Sequence, residues 1–248
     1  MNFSFQLTRH ASNSSAWDCD DAWLVARADV EVQQHQVQQI DLKDGRYVID
    51  DRFSAAYLIG AGGTHCPVRR QVFEADHKGT RAGLIIAREE EFLFPVSDNR
   101  CHLWFFGDGL PGYAWYVPKA QGYLNVGIGG SAARLRAKGQ TLNEHWSRLV
   151  AHLDRTGLVS GHSFQPLGYS YYLRGKAPQG RRGNAFLVGD ALGLATRDMG
   201  EGINAAIHSG LLAAEAILHN RPYEVSAIPR YSLPSLLRLR SSSQPQPA

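Results

Sequence analysis

Asp190 and the glycines that follow it are the residues best placed, by type and spacing, to do chemistry. Ala185 to Val188 form an apolar run of the right length for a buried strand, and the run ends on Gly189-Asp190. The string Met199-Gly-Glu-Gly-Ile-Asn204 then leads into Ile203, Ala206, Ile207, Gly210, Leu211, Ala214, Ile217 and Leu218, which recur at helical spacing. A strand, a glycine-flanked loop and a helix in this order offer a ligand two things. The Asp190 carboxylate can accept hydrogen bonds from hydroxyl groups. The unpaired N–H groups at the helix start, around Gly200, Gly202, Ile203 and Asn204, can stabilise negative charge. A Gly-Asp pair by itself fits equally well an ordinary strand-to-helix turn with a surface carboxylate.

Two further strings carry chemistry-bearing residues. Tyr57-Leu-Ile-Gly-Ala-Gly-Gly-Thr-His-Cys-Pro-Val-Arg-Arg70 is glycine-rich, so its backbone can approach a ligand closely. Arg69 and Arg70 suit a pyrophosphate or a simple ion pair. Pro111-Gly-Tyr-Ala-Trp-Tyr-Val-Pro-Lys119 is followed by Gly122-Tyr-Leu-Asn-Val-Gly-Ile-Gly-Gly130. Tyr113, Trp115 and Val117 alternate, so in a strand they share one face. On periodicity they serve equally well as plain sheet core.

Taken whole, the string from Gly189 to Ile217 resembles the ribityl-binding segment of flavoprotein monooxygenases and geranylgeranyl reductases. The resemblance implies FAD as cofactor, held by Gly189, Asp190, Gly200, Gly202, Ile203 and Asn204, with Arg69 also on the cofactor. A reduced flavin uses both offers, because its ribityl chain carries hydroxyls and its ring becomes anionic. The Tyr57–Arg70 string is similar to the family's second fingerprint, G-A-D-G-x-x-S-x-V-R, with Gly62 at the usual Asp and Cys66 at the usual Ser. The missing Asp removes the basis for inferring NADPH handling. The Tyr113 string is similar to the reductase motif Y-x-W-x-F-P, with Val117 at the usual Phe. This implies that Tyr113, Trp115 and Pro118 wall a substrate cavity. No catalytic residue is assigned; His65, Cys66 and Tyr113 are candidate proton donors.

The elements that must position these residues read as an α/β (α+β) fold, a partial FAD-binding Rossmann-like domain with an inserted antiparallel β-sheet substrate domain. The expected division is 1–75 for the first part of the FAD domain, 76–174 for the sheet, 175–222 for the second part of the FAD domain, and 223–248 for a partly disordered tail. Residues 21–27 read as a helix and Val30 to Val32 as a strand. Lys43-Asp-Gly45 is hairpin turn chemistry. Four alternating or apolar runs between Gly83 and Gly129 suggest an antiparallel sheet. Leu142 to Leu153 reads as an amphipathic helix with Asn143 near its start, and Phe164 to Leu173 as a further strand. The resemblance covers about residues 17–222. The first glycine is Gly45, so the G-x-G-x-x-G unit that grips the ADP half of FAD is expected to be missing. Its absence should expose an apolar sheet edge and helix face.

Composition bounds the rest. The chain has 248 residues, 44% apolar and 20% charged, which is globular rather than disordered. A formal charge of +3, with basic residues only in scattered pairs, argues against nucleic acid as a partner. Three scattered cysteines suit neither a disulfide framework nor a metal site, and fit a cytoplasmic location. No apolar run approaches the ~20 residues of a membrane span. The leading expectation is an FAD-dependent reductase acting on a small apolar substrate, an isoprenoid for example, with room for peripheral membrane contact. The alternatives are a flavin monooxygenase or halogenase on the same fold, and a non-catalytic fragment or split protein whose partner chain supplies the N-terminal domain.

Overall fold

The computed structural model describes residues 2–5, 24–28, 30–73, 83–175 and 179–232. They fall into two compact units, one made of Met1–Gln34 and Ile85–Ser170, the other of His35–Leu84 and Tyr171–Ala248.

The first unit is a six-stranded sheet in the order β1 (Asn2–Phe5), β7 (Cys101–Phe105), β8 (Gly112–Pro118), β9 (Tyr123–Ser131), β6 (Leu84–Leu93), β10 (Leu167–Tyr172). β7, β8, β9 and β6 pair antiparallel, with Trp115 opposite Gly127 and Gly127 opposite Glu89. The period of two gives the sheet two different faces. Tyr116, Leu124, Val126 and Ile128 lie on one, packed in a core with Trp146, Leu149 and Leu153 of helix α3 (Leu142–Arg155). Tyr113 and Trp115 lie on the other.

Helix α3 begins at Leu142, where the apolar spacing starts. Thr141 is its cap: the Thr141 hydroxyl accepts from the Glu144 N–H at 3.3 Å, and the Glu144 carboxylate accepts from the Thr141 N–H at 2.9 Å. This reciprocal pair is legible as T-x-x-E. Asn143 instead accepts from Arg88 on β6 at 2.6 Å. The shorter helix α2 (Ala132–Ala137) follows β9 directly, capped by the Ser131 hydroxyl.

The second unit holds two three-stranded sheets. β2 (Ile40–Lys43), β3 (Arg46–Ile49) and β4 (Phe53–Ala55) form a meander. Its first turn places Asp44 at φ 50° and Gly45 at φ 75°, the left-handed pair that a two-residue hairpin requires. The expected strand at Val30–Val32 does not form. Residues 30–39 form no regular secondary structure, and Val30 and Val32 are both exposed, so alternation there has no sheet to bury against. Residues 24–27 are helical; residues 21–23 of the expected helix lie outside the described residues.

The other sheet runs β11 (Arg181–Arg182), β12 (Ala185–Leu187), β5 (Leu58–Gly60), with β12 and β5 parallel and Ala185 opposite Leu58. Helix α1 (Pro67–Val72) follows β5. A β-carbon on Gly60 would stand 2.8 Å from that of Val68 and 2.7 Å from a methyl of Leu187, so only glycine lets strand and helix close up here. Helix α4 (Ile203–His219) packs on β12 through small residues. Ala213 and Ala216 join Phe186 and Val188 in one cluster, and Ser209 is fully buried. Residues 223–232 are mostly exposed, with two buried anchors. Val225 and Ile228 are core residues, and the buried Arg174 donates to the carbonyls of Val225, Ile228 and Pro229.

Burial on α4 inverts the usual arrangement. Its small residues face in, while Ile207 (54% exposed) and Leu211 (60% exposed) face out, and β5, the sheet-edge strand, exposes Ile59. An apolar edge and helix face of this kind favour association. Replacing Ile207 and Leu211 together by Glu should change stability by no more than ~1 kcal/mol, as expected of exposed positions, and should shift the purified chain toward monomer in sedimentation velocity. Unchanged self-association would place the sticky surface elsewhere.

Candidate functional site

The parallel strands β5 and β12 end side by side, and the Val188 N–H donates to the Gly60 carbonyl at 3.1 Å. Each is followed by a tight 3-10 turn, Gly63–His65 after β5 and Gly189–Ala191 after β12, and the two turns pack together. Each turn leads toward a helix. Carboxyl ends of adjacent parallel strands are where α/β sheets place ligands.

Gly189 sits at φ 53°. Its N–H donates to the Ser209 hydroxyl at 2.9 Å, and that hydroxyl donates to the Ala206 carbonyl at 3.0 Å, so the turn is stitched to α4. This holds Asp190 over the helix start. A β-carbon on Gly202 would stand 3.1 Å from Asp190 Oδ1, which makes glycine the residue that leaves the carboxylate room. Asp190 Oδ1 is buried and has no hydrogen-bond partner among the described residues. Burial pushes the carboxyl above its ordinary range, and the charge of Glu201 adds to the shift.

The helix start is less open than the sequence suggests. The Asn204 N–H donates to the Glu201 carboxylate at 2.7 Å, and the Gly200 N–H to the Thr196 carbonyl at 3.0 Å. Two of the four expected anion-binding N–H groups are therefore taken by the protein; at Asn204, Glu201 folds back as a cap that Gly202 has no side chain to supply. Those of Gly202 and Ile203 have no hydrogen-bond partner among the described residues. Gly200, at φ 66°, lies against the Tyr171 hydroxyl, where a β-carbon would come within 2.5 Å.

Arg69 and Arg70 part company. Arg70 is exposed. Arg69 is 9% exposed, its guanidinium lies 4.9 Å from the centroid of the Tyr172 ring, and its Nη1 is buried without a hydrogen-bond partner among the described residues. The β-carbon of Tyr172 lies beside Gly193, so the residue whose ring carries Arg69 also borders the Gly-Asp loop. Of the candidate proton donors, His65 is exposed and Cys66 is core, 1% exposed among Leu58, Val68 and Leu187.

In the sheet unit, Tyr113 and Trp115 stand together with ring centroids 5.6 Å apart. Pro118 does not share their face. It has the parity of Tyr116 and pairs with Leu124, because alternation separates positions of odd and even spacing. The Trp115 indole lies over Gly127, where a β-carbon would stand 2.1 Å from it. Its N–H donates to Asn125 Oδ1 at 2.6 Å, and the Asn125 amide nitrogen reaches Glu89 at 3.4 Å. Burial pushes the Glu89 carboxyl up. The sequence reading missed Glu89. Its signal is the run Glu89-Glu90-Glu91 inside a strand: Glu90 turns to the helix-covered side and bonds His162 at 2.9 Å, which puts Glu89 and Glu91 beside the aromatic pair.

This arrangement defines a flavoprotein of the FAD-binding class, and comparison bears that out. The FAD binding domain family profile matches residues 24–219. The chain belongs to that family, in the group that joins geranylgeranyl reductases to FAD-dependent monooxygenases. It is 28% identical over 187 residues to digeranylgeranylglycerophospholipid reductase 3 of Methanosphaera stadtmanae, across 73% of this chain and 46% of that protein. It is 30% identical over 191 residues to menaquinone reductase of Mycobacterium tuberculosis, across 73% of this chain and 44% of that one. The fold matches a geranylgeranyl bacteriochlorophyll reductase-like protein of Thermoplasma acidophilum at a TM-score of 0.60 and 24% identity, covering 82% of this chain and 53% of the other. The chain thus spans less than half the length of these two curated relatives. Among the described residues no group of His, Cys, Asp or Glu is arranged to hold a metal, and no helix is long and apolar enough to cross a membrane.

The raised Asp190 carboxyl has a stability consequence with a definite sign. A carboxyl whose folded-state pKa lies above its unfolded value near 3.8 binds more protons folded than unfolded in the window between the two. Stability therefore falls as pH rises through that window. Asp190→Asn should raise the melting temperature at pH 7, through relief of an unpaired buried charge worth ~1 kcal/mol, and the gain should fade toward pH 4. An equal gain at both pH values would show that the carboxylate is not strained.

Proposed function

We propose that this chain forms the ribityl-holding and substrate-facing part of an FAD-dependent oxidoreductase of the geranylgeranyl reductase type, acting on a prenyl or similarly apolar substrate. The observation that carries the reading is the buried, unpartnered Asp190 Oδ1 at the carboxyl ends of two parallel strands, beside a helix start. An orphaned buried acceptor is costly in a folded protein, and a row of ribityl hydroxyls is the donor it lacks. The residues present fit that part of the cofactor. Asp190 would accept from the hydroxyls, the Gly202 and Ile203 N–H groups would face developing negative charge, and Arg69 Nη1 would serve an anionic group.

When bound, FAD supplies the hydride chemistry. The sheet unit by itself offers a face for an apolar substrate. Tyr113 and Trp115 give an apolar wall, and Gly127 lets the indole lie flat against the sheet. Asn125 holds the indole N–H and links it to Glu89. We assign Glu89, rather than the buried Cys66 or the exposed His65, as the group that holds a proton on the substrate face. If so, the Trp115 emission should titrate with a midpoint above the ordinary carboxylate range, and Glu89→Gln should remove that step. A titration unchanged by the substitution would remove Glu89 from the reading. Alkene reduction without oxygen uptake in a reconstituted protein would favour the reductase over a monooxygenase or halogenase.

The G-x-G-x-x-G string of these residues, Gly107 to Gly112, joins the antiparallel strands β7 and β8 rather than a strand and a helix, so it does not suit the ADP half of FAD, and the reading includes a partner chain for that role. The full chain should then bind FMN and FAD with similar, weak affinity in a fluorescence titration. Asp190→Ala should weaken both by ~1–3 kcal/mol, at about 1.4 kcal/mol for each factor of ten. Tight stoichiometric FAD binding, far above that of FMN, would overturn the partner-chain part. Binding indifferent to Asp190 would overturn the site.

A further inference from the structure

The loop joining β7 to β8 carries a residue that stability alone does not explain. Phe106 has φ 55° and ψ 18° and is 67% exposed. A bulky side chain occupies left-handed backbone only under constraint, and this one leaves its ring in water as well. The constraint is visible. The Phe106 N–H donates to the Gly112 carbonyl at 2.9 Å, the Leu110 N–H to the Gly107 carbonyl at 3.0 Å, and Leu110 and Pro111 are buried beneath. Two cations fasten the loop from outside, Lys138 Nζ on the Gly109 carbonyl at 2.8 Å and Arg148 on the Asp108 carbonyl at 3.4 Å. The ring is therefore held outward rather than left loose.

Helix α2 lies alongside. Arg134, Ala137 and Lys138 line an open hollow together with Phe106, Gly109, Leu110 and Pro111. Arg134, Arg136 and Lys138 are all exposed. Among the described residues, the acidic side chains carried by this loop and by the start of helix α3 are Asp108 and Glu144, whose carboxylate is engaged at the Thr141 N–H. Arg134, Arg136, Lys138 and Arg148 outnumber them, so the local charge is positive.

A rigid aromatic wedge with an apolar floor and a cationic flank is complementary to anionic head groups over a hydrocarbon layer. We propose that the Phe106 loop and helix α2 form a docking surface for an anionic membrane. Phe106 enters the boundary between head groups and acyl chains, and Arg134, Arg136 and Lys138 pair with lipid phosphates. An acidic protein is the poorer fit, because a stable protein interface needs a broad patch of about 800 Å² on each side, and here one ring stands among charges. The surface lies within the sheet unit and does not depend on flavin binding.

The test is co-sedimentation of the full chain with vesicles made of phosphatidylglycerol and phosphatidylcholine in equal parts, against vesicles of phosphatidylcholine alone. The chain should bind the anionic vesicles about tenfold more tightly, and high salt should weaken the binding. Phe106→Asn suits left-handed backbone, so it should cut binding about tenfold while leaving the melting temperature unchanged or raised. Arg134→Glu combined with Lys138→Glu should abolish it. Leu218→Ser removes an exposed apolar residue of the other unit and should bind as the parent does. Equal binding to both vesicle types, a Phe106→Asn protein that binds as well as the parent, or equal loss on Leu218→Ser would each overturn the proposal. So would the absence of any vesicle binding, which would leave an acidic protein surface as the occupant.

Discussion

The pairing of β5 with β12 is the constraint on which the rest of the candidate site depends. Leu58 meets Ala185 across a separation that contains the Ile85–Ser170 part of the sheet unit. Only a parallel register brings both carboxyl ends to the same side, and only then do two glycine turns, one from each half of the unit, stand together. Gly60 sets how close they come, because a side chain there would push apart strand β5, Leu187 and helix α1. Asp190, Arg69 and the start of α4 all take their positions from this one junction. No local interaction could assemble them, since each lies on a different segment of chain.

Much of this was legible in the sequence because it was local. The apolar run ending on Gly-Asp, the helical spacing after Gly202 and the Asp44-Gly45 turn are each specified within a few residues, and each forms as its chemistry requires. What was not legible is what depends on partners distant in the chain. Arg69 and Arg70 are adjacent and alike in sequence; Tyr172 separates their fates by offering one of them a ring. Cys66 reads as a candidate proton donor from its place in the motif, yet the close approach at Gly60 makes it core. Pro118 is the opposite case. Its parity with Tyr116 was available from alternation, and grouping it with Tyr113 by motif overrode that signal.

The sheet unit shows how one strand can serve two surroundings at once. In β6 the three consecutive glutamates look like a solvated charge run, and a helix would scatter them around its surface. A strand cannot. It sends Glu90 to the side where His162 stacks on Phe92 with centroids 3.8 Å apart, and it sends Glu89 and Glu91 to the other. Lys119 neutralises Glu91 through a short contact. Glu89 accepts the long bond from Asn125, and burial pushes its carboxyl up against the opposing effects of that bond and of the Lys119 charge. Lys119 pairs directly with Glu91 and acts on Glu89 through its charge. Burial of this kind favours the protonated form of the Glu89 carboxyl.

The same logic decides what the start of α4 can do. A helix start attracts anions because its first N–H groups lack partners. Here Glu201 satisfies one of them and brings a negative charge with it, which opposes a second anion nearby. The carboxyl of Asp190, close to that charge and largely out of water, is raised by both effects. A protein selected only for stability would place an amide at position 190, with the same shape and no charge to desolvate. Retaining the carboxylate makes sense where donors arrive from outside the chain. A polyol lying across the turn would hydrogen-bond Oδ1, lower the carboxyl back toward its ordinary range, and screen it from Glu201. The strain in the unliganded turn then becomes part of the affinity for that ligand, and the loop from Gly189 to Gly202 is held ready by its own backbone bonds rather than ordered on binding.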